Sequence, residues 1–255
     1  MPTRPSHRPV QPNQSVERAI ACLMELTALG RPVTCKEMAE RLGVERTRAS
    51  RVLGTLAHLG MAERLQDLSY IPGSGIHVLS AMSLRSSGLL RHALPHIQRM
   101  QHKWGLSVAL GVLWRDQVSF LYHSGGHRAV ADSIAGAEPW PVAKSTLGRV
   151  LLARKEDDEI RAILGEKLSA QEWDDLMMAM ARIRRDGYVL HEGEGLSMAI
   201  STPATAGLRF MGGYDASRSE ELVEDARVIV EDIAWRVESP RREPQAHEAD
   251  RSPSN

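Results

Sequence analysis

The hexapeptide Arg46-Thr-Arg-Ala-Ser-Arg51 concentrates three guanidinium groups and two hydroxyls in a short run of chain. A guanidinium fork can donate two hydrogen bonds to guanine O6 and N7, a short hydroxyl reaches either base edge, and further arginines neutralise phosphates. On one face of a helix, these groups would read a DNA major groove. Projected at about 100° per residue, Ala49, Val52, Leu53 and Leu56 fall in one sector, with Arg46, Thr47, Arg48, Ser50 and Arg51 on the opposite arc. Thr47, Ser50 and Arg51 lie towards the middle of that arc and are assigned to base edges; Arg46 and Arg48, at its flanks, are assigned to phosphates. The competing reading is a solvated basic face with no ligand.

What separates the two readings is the chain around the hexapeptide. Ser15 is placed to cap a first helix, with Val16, Ala19, Ile20, Leu23, Leu26 and Leu29 at three- and four-residue steps until Gly30 and Pro32. Thr34-Cys-Lys-Glu37 reads as a capping box opening a short second helix that Gly43 ends. A third helix over about 45–59, stopped by Gly60, follows across a glycine-containing turn, which is helix-turn-helix spacing. Beyond it, MAERL and SYIPG flank Gln66-Asp67-Leu68 as a hairpin, with Arg64 placed to touch phosphate. A solvated face does not require these companions in this order, so double-stranded DNA is the expected partner. A winged helix used for protein contacts is the remaining alternative.

Composition agrees with this division. The 255 residues carry 32 basic and 32 acidic side chains and are 42% hydrophobic, which excludes disordered, fibrous and disulfide-framework classes. Zero net charge hides an asymmetry: residues 1–64 hold 10 Lys/Arg against 6 Asp/Glu, and the remainder 22 against 26. A basic head on a more acidic body points to an anionic partner for the head. Two cysteines, Cys22 and Cys35, an N-terminus without an apolar h-region and the lack of any run near the roughly 18 apolar residues of a membrane span predict a cytoplasmic protein with no membrane partner. The expected organisation is a disordered tail at 1–13, a winged helix-turn-helix at 14–72, a linker helix at 73–88 bearing Ile76, Val78, Leu79 and Met82, a larger domain at 89–238, and a second disordered tail at 239–255.

In the larger domain, Leu106–Leu113 and Val118–Tyr122 are β-compatible runs joined by Trp114-Arg-Asp-Gln, a hairpin signal. Trp173, Leu176, Met177 and Met180 make one helical stripe and Leu222, Ala226, Ile229, Ile233 and Val237 another, so helices should cover a sheet in an α+β chain. A ligand pocket needs apolar walls and a few convergent polar groups. The candidates are Ser145, Thr146, Ser197 and Ser201 for their hydroxyls and Gly148 for backbone amides; the equal alternative makes Ser145 or Thr146 an ordinary helix cap. His92 and His96, spaced i, i+4, lack a third metal ligand nearby, so no metal and no cofactor is expected. Gly195-Leu-Ser197-Met-Ala falls one residue short of a nucleophile elbow and lacks the helix that should follow, so no catalytic residue is assigned.

Taken in series, several segments resemble the isocitrate lyase regulator (IclR) family of bacterial transcription factors. They are Ser15-Val-Glu-Arg-Ala-Ile, Glu37-Met-Ala-Glu-Arg-Leu-Gly-Val, Arg46-Thr-Arg-Ala-Ser-Arg-Val-Leu-Gly-Thr-Leu, Leu59-Gly-Met and Tyr70-Ile-Pro-Gly. Past the linker, Leu89 to Gly105, Pro141-Val-Ala-Lys-Ser-Thr-Leu-Gly-Arg-Val-Leu-Leu-Ala153 and Ile183-Arg-Arg-Asp-Gly-Tyr continue the likeness. The resemblance implies a winged helix-turn-helix, a linker helix and a GAF-like α/β domain that binds a small organic or aromatic acid and assembles the chain into a homodimer or homotetramer. Val142-Ala143 stands where that pattern prefers Leu-His, Ser145-Thr146 for Thr-Ala and Arg149 for Lys. The identity of the ligand therefore does not transfer.

Overall fold

Asn13 opens the first helix. In the computed structural model, which describes residues 13–124, 133–134, 138–165, 167–202 and 204–239, its side-chain oxygen accepts from the amides of Ser15 (3.0 Å) and Val16 (3.4 Å). Helix α1 spans Gln14–Leu29 and ends at Gly30 in the left-handed region. The cap expected at Ser15 is thus corrected: Asn-x-Ser offers two good capping residues, the upstream one is used, and Ser15 falls inside the first turn. Asn13→Ala is expected to destabilise the N-terminal unit by about 1 kcal/mol, and Ser15→Ala by less than about 0.5 kcal/mol, in denaturant titrations followed by circular dichroism. Apart from Asn13 and Ser239, the expected tails lie outside the described residues.

The chain divides into two compact units, residues 1–86 and 87–255. In the first, α2 (Cys35–Leu42) begins where the Thr34 hydroxyl accepts from the Glu37 amide at 3.2 Å. The expected reciprocal bond from Glu37 is not among those found. Its carboxylate instead accepts from Arg31 and, at 3.3 Å, from Arg41 Nε; charge-assisted bonds outcompete a neutral amide donor. The Arg31 bond is the main cause holding the Glu37 carboxyl below its usual range.

Helix α3 (Arg46–His58) packs Ala49, Leu53 and Leu56 against Cys22 and Leu26 of α1 and Met38 and Ala39 of α2. Strands β1 (Ala62–Arg64) and β2 (Tyr70–Pro72) pair antiparallel, and Val33 extends this ribbon through mutual backbone bonds with Tyr70. The wing turn is held by Asp67, whose carboxylate accepts from the Ser69 amide (3.0 Å) and hydroxyl (2.6 Å). Helix α4 (Ser74–Ser87) starts from backbone bonds of Gly73 to Met61 and Gly75 to Gly60, and buries none of its residues.

The second unit is built on a six-stranded antiparallel sheet, flanked on both faces by helices. Its strands are β3 (Ser107–Trp114), β4 (Gln117–His123), β5 (Trp140–Pro141), β6 (Tyr188–His191), β7 (Gly195–Ile200) and β8 (Ala206–Met211), in the order β5-β4-β3-β8-β7-β6. The first two match the sequence expectation to within one residue at each end. Period-2 alternation sends Val108, Leu110, Leu196, Met198, Leu208 and Phe210 to one core, shared with α5 (Leu89–Trp104) and the final helix, Ser219–Glu238.

The opposite face meets α6 (Thr146–Leu152), α7 (Asp157–Leu164) and α8 (Ala170–Asp186), whose Leu147, Leu151, Ile160, Leu176 and Met180 form a second core. The last helix, α9 (Ser219–Glu238), carries the expected stripe, with Leu222, Ala226, Ile229 and Ile233 buried. Alanine at Gly207 would put its Cβ 2.8 Å from a Leu147 methyl, so the glycine lets α6 sit close on the sheet. That contact brings the start of α6 next to β7.

Candidate nucleic-acid interface and effector site

The buried stripe of α3 fixes what its other side presents. With Ala49 and Leu53 fully buried and Leu56 nearly so, Arg46, Thr47, Arg48, Ser50 and Arg51 are all exposed. The arginines on and beside α2 and α3 fall into two electrostatic groups. Arg31 and Arg41 are paired with Glu37 and Glu25. Arg46, Arg48 and Arg51 have no side-chain hydrogen bond or ion pair among the described residues. Uncompensated, solvent-facing guanidiniums on a single helix face create a positive potential suited to an anion.

A groove of about 440 Å³ between α1 and α3 is lined by Arg48, Arg51, Val52, Thr55 and, from α1, Ser15 and Arg18. Arg18, bonded to Gln14 at 2.8 Å, is therefore a further basic group at this surface that sequence reasoning missed. Its signal was only its place three residues past Ser15, and helix-helix packing decides that it faces α3. Arg64 is exposed on β1, its guanidinium 6.0 Å from the Tyr70 ring centre, which stiffens the wing without neutralising the charge.

In the second unit, the structure brings together two of the polar residues singled out from sequence. The Thr146 and Ser197 hydroxyls are 3.0 Å apart, with Ser197 only 1% exposed. Ser145 is the N-cap of α6 and accepts from the Gly148 amide at 3.2 Å, so these two groups satisfy each other. Ser201, beyond the end of β7, is exposed and accepts from Arg154 at 3.0 Å, away from the Thr146–Ser197 pair by more than one strand pleat. Around that pair lies a small pocket of about 110 Å³, lined also by His191, Glu194 and Arg209. Arg209 was not singled out from sequence, because LRFM reads as an ordinary half-exposed strand.

Neither of the other constellations assembles a reactive centre. Arg99 can only donate, so it donates to His96 Nδ1 (2.7 Å), which leaves Nε2–H to donate to Asp232 (2.7 Å). Among the described residues no cluster of three or more His, Cys, Asp or Glu is placed to hold a metal. Ser197 lies within β7 rather than at a strand-to-helix elbow. Burial pushes the Cys22 thiol up to about 12, with Cys35 nearby adding to the shift, so it is not poised as a thiolate. Among the described residues no helix is long and apolar enough to cross a membrane.

Comparisons with known proteins agree across the chain. The family described as "IclR helix-turn-helix domain" matches residues 15–66, and that described as "Bacterial transcriptional regulator IclR C-terminal" matches residues 81–204. The HTH-type transcriptional regulator BhcR of Paracoccus denitrificans is 26% identical over 190 residues, covering 71% of this chain and 67% of its own. A putative IclR transcriptional regulator from Silicibacter sp. shares the fold with a TM-score of 0.73 at 19% identity, over 88% of this chain and 96% of its own. An IclR homologue from Microbacterium hydrocarbonoxydans, solved in complex with 4-hydroxybenzoate, has a TM-score of 0.64 at 21% identity, over 89% of this chain and 100% of its own.

Proposed function

The chain belongs to the IclR family of bacterial transcriptional regulators, and on that premise we propose that it binds a pseudo-palindromic operator as a homodimer or homotetramer and is controlled by a small carboxylic or aromatic acid. It is a regulator with a helix-turn-helix DNA-binding domain and an effector domain, not an enzyme. The observation that carries the finer reading is the set of exposed, unpaired guanidiniums on α3, in a unit whose other arginines on and beside α2 are paired with acids. In this reading α3 enters the major groove with Thr47, Ser50 and Arg51 at base edges, while Arg46, Arg48 and the wing residue Arg64 hold phosphates.

Assembly is supported by apolar side chains that the first unit does not bury. Val16, Ile20 and Met24 recur every four residues along α1, and α4 exposes Val78, Leu79 and Met82. A second copy covering them would set two α3 helices on half-sites about one DNA turn, or a multiple, apart. The effector would occupy the second unit around Thr146 and Ser197, while Ser145 and Gly148 cap α6 beneath the site and Ser201 stands outside it. The 4-hydroxybenzoate held by the Microbacterium hydrocarbonoxydans relative supports an acid of this class. A coupling of about 1–3 kcal/mol, transmitted through α4 to the spacing of the heads, would change operator affinity by about 5- to 150-fold. Such a regulator acts in the cytoplasm.

The test is a gel shift of the full-length protein on its own upstream DNA across a salt series. Each neutralised phosphate contributes about −0.9 to the slope of log K against log salt. Arg46, Arg48 and Arg64 from two heads predict a slope near −5, roughly. Absent or salt-independent DNA affinity would overturn the reading in favour of a winged helix that contacts protein.

A further inference from the structure

Arg209 occupies the middle of β8, where the register sets it opposite Ser197 of β7 and Ala109 of β3. Its chain neighbours Leu208 and Phe210 are buried in the core on the other face of the sheet. Arg209 therefore faces the α6 side, half-buried, in the pocket with Thr146 and Ser197. Among the described residues its guanidinium makes no hydrogen bond or ion pair. Elsewhere in this unit Arg184, Arg218 and Arg236 are paired with Asp157, Glu221 and Asp232. Glu194 lines the same pocket but forms no ion pair with Arg209. Burial without a counter-charge draws the guanidinium below the usual arginine range. Partial loss of water around a charge with nothing to pair it is unfavourable, so a bound anion is the natural complement.

We propose that Arg209 is the counter-charge for the carboxylate of the effector, an assignment that rests on the reading of this unit as effector-binding. The fork of the guanidinium receives the two carboxylate oxygens. Thr146 and Ser197 carry two hydroxyl protons between them and spend one on their mutual bond, so the second is available as a further donor. The body of the acid extends into an adjoining groove of about 540 Å³ that shares Thr146, Val189 and His191 with the pocket and is walled by Met178, Ala179 and Ile183. The carboxylate end is thus recognised by charge, and the remainder meets a mixed wall in which Arg149, Asp175, Arg182 and Asp186 stand beside these apolar side chains.

Acetate and benzoate serve as probes, since the carboxylate subsite should accept either body. Their neutral amides, acetamide and benzamide, are the matched controls, and sodium chloride holds ionic strength constant. With the full-length protein, each acid is expected to raise the melting temperature by about 3–6 °C at roughly ten times its dissociation constant, and the amides not at all. Arg209→Gln should abolish the response while melting no lower than wild type without ligand, because it removes a half-buried charge that has no partner among the described residues. Arg209→Lys should restore part of it.

Ser197→Ala, which leaves Arg209 in place, should weaken the acid response several-fold and covers the case in which the glutamine variant does not fold. The assignment is overturned if the acids act no differently from chloride on wild type, if Arg209→Gln responds fully, if Ser197→Ala responds as wild type does, or if inorganic phosphate alone gives the shift. Ligand-free DNA binding separates the two levels of the argument. Binding retained by wild type and Arg209→Gln while the acids fail removes only this assignment, whereas no DNA binding by wild type removes the regulator reading beneath it.

Discussion

Arg51→Ala is expected to weaken operator binding by about 1–3 kcal/mol per half-site, roughly 5- to 150-fold for each, and to relax base preference at one position of each half-site. The arginine is exposed near the centre of the α3 arc, and its side chain has no partner among the described residues. Its removal should therefore leave the stability of the first unit nearly unchanged, so the loss reads out on DNA alone. Arg48→Ala is the internal comparison. At the flank of the arc it should weaken all sequences about equally and, lost from both heads, shallow the salt slope by about two. Gel shifts on the operator and on a panel of single-base variants measure both. Equal behaviour of the two variants, or no effect of either, would mean that α3 does not lie in the groove as assigned.

Gly148→Ala is expected to destabilise the second unit by about 3 kcal/mol, lowering its melting transition by about 6–12 °C. The added Cβ would sit 2.2 Å from the Val142 carbonyl oxygen and 2.8 Å from the Val142 Cα and carbonyl carbon. These are backbone atoms of the turn that leads into α6, and they have no rotamer by which to yield. Ser145→Ala removes only the cap to the Gly148 amide and should cost about 1 kcal/mol. Differential scanning calorimetry on the full chain checks the ordering. An unchanged melting transition in Gly148→Ala would mean that the Val142 backbone yields to the added methyl group and that close approach is not what requires glycine here.

The two predictions mark different depths of legibility. Arg51 could be assigned from the chain alone because a helix repeats every 3.6 residues: once Ala49, Leu53 and Leu56 are recognised as the packed stripe, the opposite arc follows. The second helix, its stop at Gly43, the β3–β4 hairpin and the α9 stripe were readable for the same reason, each being set by interactions a few residues apart. Even locally, ambiguity arose where two side chains competed for one role. Asn13 displaced Ser15 as a cap, and Arg31, six residues from Glu37 and across a turn, drew off the carboxylate expected to close a capping box.

What the amino-acid order alone determined, then, is the head as a helix-turn-helix unit: its order of helices, the buried stripe of α3 and the exposed basic arc opposite it are all products of short-range periodicity. The proposed effector site was decided in three dimensions. Thr146 meets Ser197 across 51 positions because Gly207 lets α6 settle onto the sheet, and Arg209 joins them because the β7–β8 register places it opposite Ser197. Ser201, of the same residue type and only four positions further on, ends outside the pair. Residue type states what a polar group can bind. Strand register and helix packing, which depend on the whole core at once, state which polar groups converge.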